Sequence, residues 1–126
     1  MIKVLFVCLG NICRSPMADG VFQHKVNQAG LNKQIMVDSA GTGSWHVGES
    51  AHKGTLAVLK KHHIPYDGRA RQFVRRDLSD FDYILAMDSS NLTTIQQVMR
   101  GESDGDVRLF LSYAKAKGIV DRETVP

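Results

Sequence analysis

A short segment near the N-terminus carries the residue types best suited to chemistry. Cys8 and Arg14 are separated by five residues, a Cys-x5-Arg pattern. Gly10 and Asn11 lie between them, and Ser15 follows Arg14. A loop of this length can curl so that its backbone N–H groups point at one anion, and an Arg at its rim can bind two phosphate oxygens, which Lys cannot. Gly and Asn readily adopt the left-handed backbone geometry of a tight turn. The segment therefore predicts a phosphate-binding loop with a thiolate at its base.

The elements on either side of this loop strengthen that prediction. Residues 4–7 are a continuous apolar run of β-forming residues, typical of a strand buried on both faces, and they lead directly into Cys8. Residues 16–26 predict a helix with Pro16 in its first turn. A helix N-terminus and a nearby cation favour the ionised form of a thiol. The alternative, that Cys8 is a buried inert thiol, is disfavoured by these neighbours.

The rest of the chain alternates predicted strands and helices. Further strands are expected at residues 35–39, 81–87 and 107–111, and further helices at residues 52–63 and 92–99. This order predicts a three-layer α/β domain, with a four-stranded parallel sheet of flavodoxin-like topology and helices on both faces. Ligand sites in such sheets lie at the carboxyl ends of the strands, near the point where the strand order reverses. The loop after the first strand is expected at that edge.

Composition excludes several other classes of protein. The net charge is +3, and the arginines between residues 69 and 76 are flanked by Asp67, Asp77, Asp80 and Asp82, which is typical of a solvated surface rather than a nucleic-acid interface. No run approaches the about 20 apolar residues of a membrane span. The N-terminus lacks a signal-peptide pattern, so we predict a cytoplasmic protein, with secretion by another route left open. Attraction of an anionic substrate is the better explanation of the excess positive charge.

The cysteine and histidine patterns argue against disulfides and metals. Two cysteines, Cys8 and Cys13, are too few to staple a domain of 126 residues, which indicates a reducing compartment. The five histidines show no ligand-like spacing to each other or to the cysteines; they are His24, His46, His52, His62 and His63. We therefore predict no metal and no cofactor.

Residues 7–16 read V-C-L-G-N-I-C-R-S-P and resemble the signature loop of the low-molecular-weight protein tyrosine phosphatases, at its usual place near the N-terminus. The match continues through residues 39–42, Trp45, residues 70–72 and residues 81–91, and covers essentially the whole chain. The resemblance implies that Cys8 attacks phosphorus to form a phosphocysteine, which water then hydrolyses. It also implies that Arg14 binds the substrate and stabilises the equatorial oxygens of the transition state. Tyrosine-phosphorylated proteins and small aryl phosphates are the implied substrates, and phosphate and other oxyanions the implied ligands.

The resemblance also implies roles for polar residues around the loop. Asn11, Ser15 and Ser39 would form the hydrogen-bond network that holds it, with Ser15 donating to the sulfur; a helix N-cap is the other role open to Ser15. Many relatives place a His at position 68 to support Asn11, so the presence of Gly68 means that this support comes from elsewhere. Cys13 could form a reversible disulfide with Cys8 that protects the nucleophile from overoxidation, or could simply pack.

The substrate cleft is expected to be apolar. Leu9, Ile12 and Trp45 would line it against an aromatic ring, although Trp45 alone could equally be a core residue. A deep apolar slot favours phosphotyrosine over phosphoserine, because only a long side chain brings its phosphate to the thiolate. Related phosphoarginine phosphatases carry Thr where Ile12 stands, which again favours phosphotyrosine.

One expected catalytic group has no counterpart in the sequence. The family's general acid is an Asp in an Asp-Pro-Tyr-Tyr loop, followed by a last helix, and both would come directly after Pro126. We therefore predict one phosphatase domain over residues 1–126 without that loop and helix, which we expect in a longer protein. Asp121 and Glu123 are more typical of solvated surface charges than of the missing acid.

Two other functions share parts of this pattern. A thiol arsenate reductase of similar fold passes a disulfide through further cysteines in the C-terminal half, and none follows Cys13. A non-catalytic phosphate-binding module would not need both Cys8 and Arg14. The sequence therefore favours a cysteine-dependent phosphatase.

Overall fold

Four parallel strands form one sheet in the computed structural model, which describes residues 1–100 and 105–126. In chain order they are β1 (Ile2–Cys8), β2 (Ile35–Gly41), β3 (Tyr83–Ala86) and β4 (Asp106–Leu109). Their order across the sheet is β2-β1-β3-β4, and β1 pairs with β2 along its full length, from Ile2 opposite Ile35 to Cys8 opposite Gly41. The predicted four-stranded parallel sheet is confirmed. The strand order reverses between β1 and β3, so Cys8 ends the strand next to the switch point.

The central position of β1 follows from its side chains. Val4 and Phe6 point to one face of the sheet, while Leu5 and Val7 point to the other, and all four are buried. Only a strand covered on both faces accommodates such a continuous apolar run. The two faces thus build separate halves of the core around the strand that ends in Cys8.

Helices cover both faces of the sheet, as the sequence predicts. One face carries α1 (Arg14–Gln28), which contributes Ala18 and Phe22 to the cluster around Phe6, and α2 (Lys53–Lys61) packs on α1. The other face carries two helices, α3 (Asp77–Asp80) and α4 (Ser89–Met99), whose Leu78 and Ile95 pack on Leu5 and Val7. A last short helix, α5 (Ser112–Ala116), follows β4. No helix among the described residues has the length and apolar character that crossing a membrane requires.

The helix boundaries differ from prediction at their caps. α1 begins at Arg14 instead of residue 16, so its first turn lies inside the loop segment. α2 is two residues shorter at its end than predicted, because His63 adopts a left-handed φ of 59°. α4 begins at Ser89 instead of residue 92, because the Asp88 side chain accepts a hydrogen bond from the backbone of Asn91 and caps the helix.

The remaining differences are strand bounds and short elements. β1 and β2 extend beyond residues 4–7 and 35–39, because the two strands pair along their full length, and β3 is shorter than residues 81–87. β4 spans Asp106–Leu109 instead of residues 107–111, because Leu111 turns into α5. Neither α3, of four residues, nor α5, of five, was predicted. Such short helices lack the repeated apolar spacing on which a sequence-based prediction depends.

Candidate active site

The loop between β1 and α1 turns its carbonyl groups away from its own interior. Each of three carbonyl oxygens accepts a backbone hydrogen bond from a neighbouring segment: that of Cys8 from Thr42 (2.9 Å), that of Leu9 from Gly43 (2.9 Å) and that of Ile12 from His52 (2.7 Å). In a trans peptide group the C=O and the following N–H point in opposite directions. The next N–H groups therefore point into the loop, which is the arrangement that binds an anion.

The Cys8 sulfur lies at the base of this loop among hydrogen-bond donors. Cys8 is buried, its Sγ lies 3.0 Å from the Ser15 hydroxyl, and the backbone N–H of Asn11 donates to it at 3.3 Å. Asn11 Nδ2 donates to Ser15 Oγ at 2.8 Å, which leaves the Ser15 hydrogen free for another acceptor. That acceptor is either Cys8 Sγ or the more distant Ala40 carbonyl, at 3.5 Å. The network can thus turn toward the sulfur when it carries negative charge.

Ser15 does not cap α1. The N-cap residue is Cys13, which makes no side-chain cap hydrogen bond, and Ser15 is the second residue of the helix. Its hydroxyl instead contacts Cys8, Asn11 and the Ala40 carbonyl, and the N-cap alternative does not match the geometry.

Asn11 has the left-handed backbone that the tight turn requires. Its φ is 57°, and its side chain is buried. Its Oδ1 accepts from the backbone N–H of Arg71 at 3.0 Å. Arg71 thus supports Asn11 in a chain that has Gly68 where many relatives have a His. Gly10 was also expected to be left-handed, but it has no positive φ. Its missing side chain instead makes room, because a Cβ there would lie 3.0 Å from the His46 ring.

Ser39 was expected in the same network and lies outside it. It is paired with Phe6 across β1 and β2, so its side chain faces α1 instead of the loop. Its hydroxyl lies 3.5 Å from that of Tyr66, which in turn donates to Asp19 at 3.2 Å. Burial raises the pKa of Asp19 to about 6, against the lowering effect of hydrogen bonds from Ser39 and Tyr66. Burial also raises the pKa of Tyr66, together with the charge of Asp19.

Arg14 is anchored on one side of its guanidinium. Its NH1 donates to Asp88 Oδ2 at 2.7 Å and to the Val125 carbonyl at 3.1 Å. Burial tends to raise the pKa of Asp88, but hydrogen bonds from the Asn91 backbone and from Arg14 outweigh it and lower that pKa below its ordinary value. The N-cap role of this segment was predicted, but the pairing of Asp88 with Arg14, 74 residues away, was not.

A cavity of about 260 Å³ opens above the loop. It is lined by the expected residues and by His46, namely Cys8, Leu9, Gly10, Ile12, Cys13, Arg14, Trp45 and His46. Trp45 is 72% exposed at the rim, so it is not a core residue. Cys13 is exposed and Cys8 is buried, and both thiols are free. Apolar side chains, the Cys8 thiol and Arg14 thus line one cavity.

His46 is a cleft residue that sequence reasoning missed. Its Nδ1 lies 2.8 Å from Glu49 Oε2, which orients the ring beside the loop. Only its position after Trp45 could have drawn attention to it. Among residues 1–100 and 105–126, no three His, Cys, Asp or Glu side chains come together as a possible metal site.

Comparison with known proteins agrees with this architecture. Residues 3–124 match the family model described as low molecular weight phosphotyrosine protein phosphatase. The protein-tyrosine-phosphatase YfkJ of Bacillus subtilis is 43% identical over 122 residues, which are 96% of this chain and 78% of that protein. The low molecular weight phosphotyrosine protein phosphatase of Schizosaccharomyces pombe is 53% identical over 114 residues, 90% of this chain and 73% of that protein.

Solved structures show the same fold. The crystal structure of YfkJ from Bacillus subtilis superposes with a TM-score of 0.94 and covers 100% of this chain and 78% of its own. A Drosophila arginine phosphatase, 38% identical, superposes with a TM-score of 0.87 over 93% of this chain and 76% of its own. The chain therefore belongs to the low-molecular-weight protein-tyrosine-phosphatase family of hydrolases.

Proposed function

We propose that this chain hydrolyses phosphotyrosine and small aryl phosphates through a phosphocysteine on Cys8. The observation that carries the proposal is the position of the sulfur, 3.0 Å from the Ser15 hydroxyl and 3.3 Å from the Asn11 N–H, below a loop whose amides face inward. These donors stabilise a thiolate when the site is empty and the phosphoryl oxygens when it is occupied. Their arrangement supports a nucleophilic role better than a structural one.

In the first step the Cys8 thiolate uses a lone pair to form a sulfur–phosphorus bond. The bond from phosphorus to the aryl oxygen breaks, and its electron pair leaves with that oxygen. Arg14 NH1 is held by Asp88 and Val125, so the Nε and NH2 side of the guanidinium serves the equatorial phosphoryl oxygens. Catalysis here is mainly positioning and charge stabilisation.

In the second step water attacks phosphorus and the sulfur–phosphorus bond breaks. The electron pair returns to Cys8 Sγ, where Ser15 and Asn11 again stabilise it, and inorganic phosphate leaves. Aryl phosphates whose leaving oxygen departs as a stable anion need no proton in the first step, so they report directly on Cys8 and Arg14. We propose that residues 1–126 form one phosphatase domain.

The cleft favours an aromatic phosphate ester. Leu9, Ile12 and Trp45 present apolar surface above the loop, and the phosphate must reach a buried sulfur. Tyrosine-phosphorylated proteins are accordingly the proposed substrates. A structurally similar protein is described as an arginine phosphatase. Phosphoarginine therefore belongs in the test, and Ile12→Thr is the variant expected to move selectivity toward it.

The nucleophile is tested with para-nitrophenyl phosphate at mildly acidic pH. Cys8→Ser should lower kcat by about four orders of magnitude or more, as removal of a nucleophile does. Cys13→Ser is the matched control, because it removes the other thiol of the same cleft, and it should stay active. Equal activity of Cys8→Ser and the wild type would refute the proposal. Phosphate binding without turnover by the wild type would instead support a binding module.

Selectivity is tested with peptides of one sequence carrying phosphotyrosine, phosphoserine or phosphoarginine. The proposal expects the largest kcat/KM for phosphotyrosine. A larger kcat/KM for phosphoarginine in the wild type would overturn the substrate assignment. It would not affect the proposed nucleophilic role of Cys8.

A further inference from the structure

The side chain of Arg71 is held from two directions by carboxylates. Its NH1 and NH2 bind both oxygens of Asp77, each at 3.0 Å, and its Nε binds Asp38 at 3.2 Å. Asp77 is 4% exposed and also accepts from the backbone of Val74, so it is itself fixed. The hydrogen bonds of the carboxylates raise the pKa of Arg71 although burial alone would lower it. This group, called here the Arg71 clamp, joins β2 to α3.

The backbone of Arg71 connects the clamp to the phosphate loop. Its N–H donates to Asn11 Oδ1 at 3.0 Å, and its carbonyl accepts from Gly41 at 2.8 Å. Asn11 in turn donates to Ser15, which lies 3.0 Å from Cys8 Sγ. A continuous path of hydrogen bonds thus runs from the buried carboxylate of Asp77 to the reactive sulfur. The Arg71 side chain does not line the cleft.

We propose that Arg71, fixed by Asp77 and Asp38, is a positioning residue for the phosphatase reaction and acts on Cys8 through Asn11 and Ser15. The inference rests on the proposed nucleophilic role of Cys8. It assigns a catalytic consequence to an ion pair that lies outside the cleft.

The physical reason is the conformation of Asn11. A non-glycine residue with a φ of 57° is held there by its surroundings, and its side-chain amide is fixed at both ends, by Arg71 and Ser15. Without the clamp the Arg71 peptide group can move, Asn11 loses its acceptor contact, and its Nδ2 no longer directs the Ser15 hydroxyl toward sulfur. The thiolate then loses stabilisation, while the loop amides and Arg14 still bind phosphate.

The test compares Arg71→Gln with Arg76→Gln. Arg76 is the matched control, because it pairs with Asp80 at 3.1 Å in the same segment but is 84% exposed and has no bond to the loop. Arg71→Gln should lower kcat for para-nitrophenyl phosphate about tenfold, the scale of one charge-assisted hydrogen bond, and leave KM nearly unchanged. It should also slow alkylation of Cys8 by iodoacetamide at pH 6 by a similar factor. Arg76→Gln should change neither rate.

A double-mutant cycle separates this path from general destabilisation. If Arg71 acts through Asn11, Arg71→Gln should have little further effect on kcat in an Asn11→Ala background. Additive losses would overturn the proposal, and so would a lower Tm with unchanged kcat and alkylation rate. If Arg71→Gln does not fold, Asp38→Asn replaces it, because this variant removes only the half-exposed partner of Arg71. It should lower kcat and the alkylation rate in the same direction, but by a smaller factor.

Failure of this inference is distinguishable from failure of the proposed function. Alkylation reports on the sulfur without any substrate. An active Cys8→Ser variant would refute the nucleophilic role of Cys8. An inactive Cys8→Ser variant, together with an unchanged kcat and alkylation rate in Arg71→Gln, would refute only the positioning role of Arg71.

Discussion

The hydroxyl oxygen of Ser15 lies 3.0 Å from the sulfur of Cys8, and both side chains are buried. Asn11 donates to the same oxygen, so the Ser15 hydrogen is available to the sulfur. A hydroxyl that donates to a thiolate and cannot reach solvent favours the charged form over the neutral one. This contact links the fold of the loop to the reactivity of the cysteine.

Ser15→Ala should therefore weaken the nucleophile without unfolding the chain. We expect kcat for para-nitrophenyl phosphate to fall about tenfold to a hundredfold, the scale of one or two kcal/mol of transition-state stabilisation. Iodoacetamide should alkylate Cys8 more slowly at pH 6. Steady-state kinetics and timed mass spectrometry of the alkylated protein measure the two effects.

Ser39→Ala is the control for this experiment. Ser39 is also a buried serine, on the strand next to β1, but its hydroxyl contacts Tyr66 instead of the loop. We expect its kcat to stay within about twofold of the wild type, since the change lies outside the loop network. Equal losses in the two variants would show that the Ser15 contact has no special part in the reaction.

Gly41 is expected to tolerate no side chain. A Cβ at this position would lie 2.8 Å from the Leu9 carbonyl oxygen and 3.1 Å from the Asn11 nitrogen, both backbone atoms of the phosphate loop. Gly41→Ala should lower the free energy of unfolding by about 1–3 kcal/mol, as overpacking does, and should reduce kcat because the loop must shift. Urea denaturation and para-nitrophenyl phosphate kinetics test both effects.

Gly20→Ala provides the opposite case. A Cβ there would lie 3.2 Å from the side-chain methyls of the buried Leu59 and 3.4 Å from the Tyr66 ring, not against the phosphate loop, and the position lies inside α1. The gain of about 1 kcal/mol from replacing a helix glycine by alanine is therefore offset by this tight packing, and the free energy of unfolding should change by less than about 1 kcal/mol. Activity should be unchanged, and a loss as large as that of Gly41→Ala would contradict the loop-contact explanation.

The two contacts of Asp88 can be separated by substitution. One oxygen caps α4 and the other pairs with Arg14. Asp88→Ser keeps a capping oxygen and should lower kcat/KM about tenfold through loss of the ion pair that orients Arg14. Asp88→Ala should show the same kinetic loss and a further drop of about 1 kcal/mol in the free energy of unfolding.

The pH dependence of this contact has a defined sign. Because the pKa of Asp88 is lowered in the folded chain, the stability that its charged form contributes is present above about pH 4, the ordinary value, and is lost as the pH falls further. Thermal unfolding of the wild type and Asp88→Ser should therefore converge at acidic pH. A difference that grows on acidification would contradict this assignment.

Asp19 should produce the opposite pH dependence. Burial raises its pKa to about 6, so the stability associated with the protonated form is complete below about pH 4 and is lost as the pH rises through 6. Asp19→Asn cannot ionise and can still accept from Tyr66. Its free energy of unfolding relative to the wild type should rise by about 2 kcal/mol between pH 4 and 7. A constant difference over that range would show that Asp19 does not titrate as described.

Much of the fold could be predicted because its elements are locally encoded. The apolar run of β1, the Pro and Gly that bracket α1, and the N-cap residues before α4 each determine structure from neighbours in sequence. Short elements such as α3 were missed, since a helix of four residues has no periodicity to detect. The ion pair between its Asp77 and Arg71 is a tertiary contact, which local sequence does not reveal.

The site could be predicted as far as its residues are contiguous. The loop from Cys8 to Ser15 was identified by its spacing, and its neighbours in the cleft by resemblance. Contacts across large sequence separations were not, such as Arg14 with Asp88 and Asn11 with Arg71. Ser39 was misplaced for the same reason, because the face to which a strand residue points depends on the register with β1.

The most direct test of the central claim is to find where phosphorus is bound during turnover. The wild type is mixed with para-nitrophenyl phosphate, quenched rapidly in alkaline denaturant, in which a phosphocysteine is stable, digested at alkaline pH and mapped by mass spectrometry. We predict one phosphoryl group on Cys8, absent from Cys8→Ser and retained in Cys13→Ser. Turnover with no phosphoryl group on Cys8, or with the group on another residue, would contradict the account.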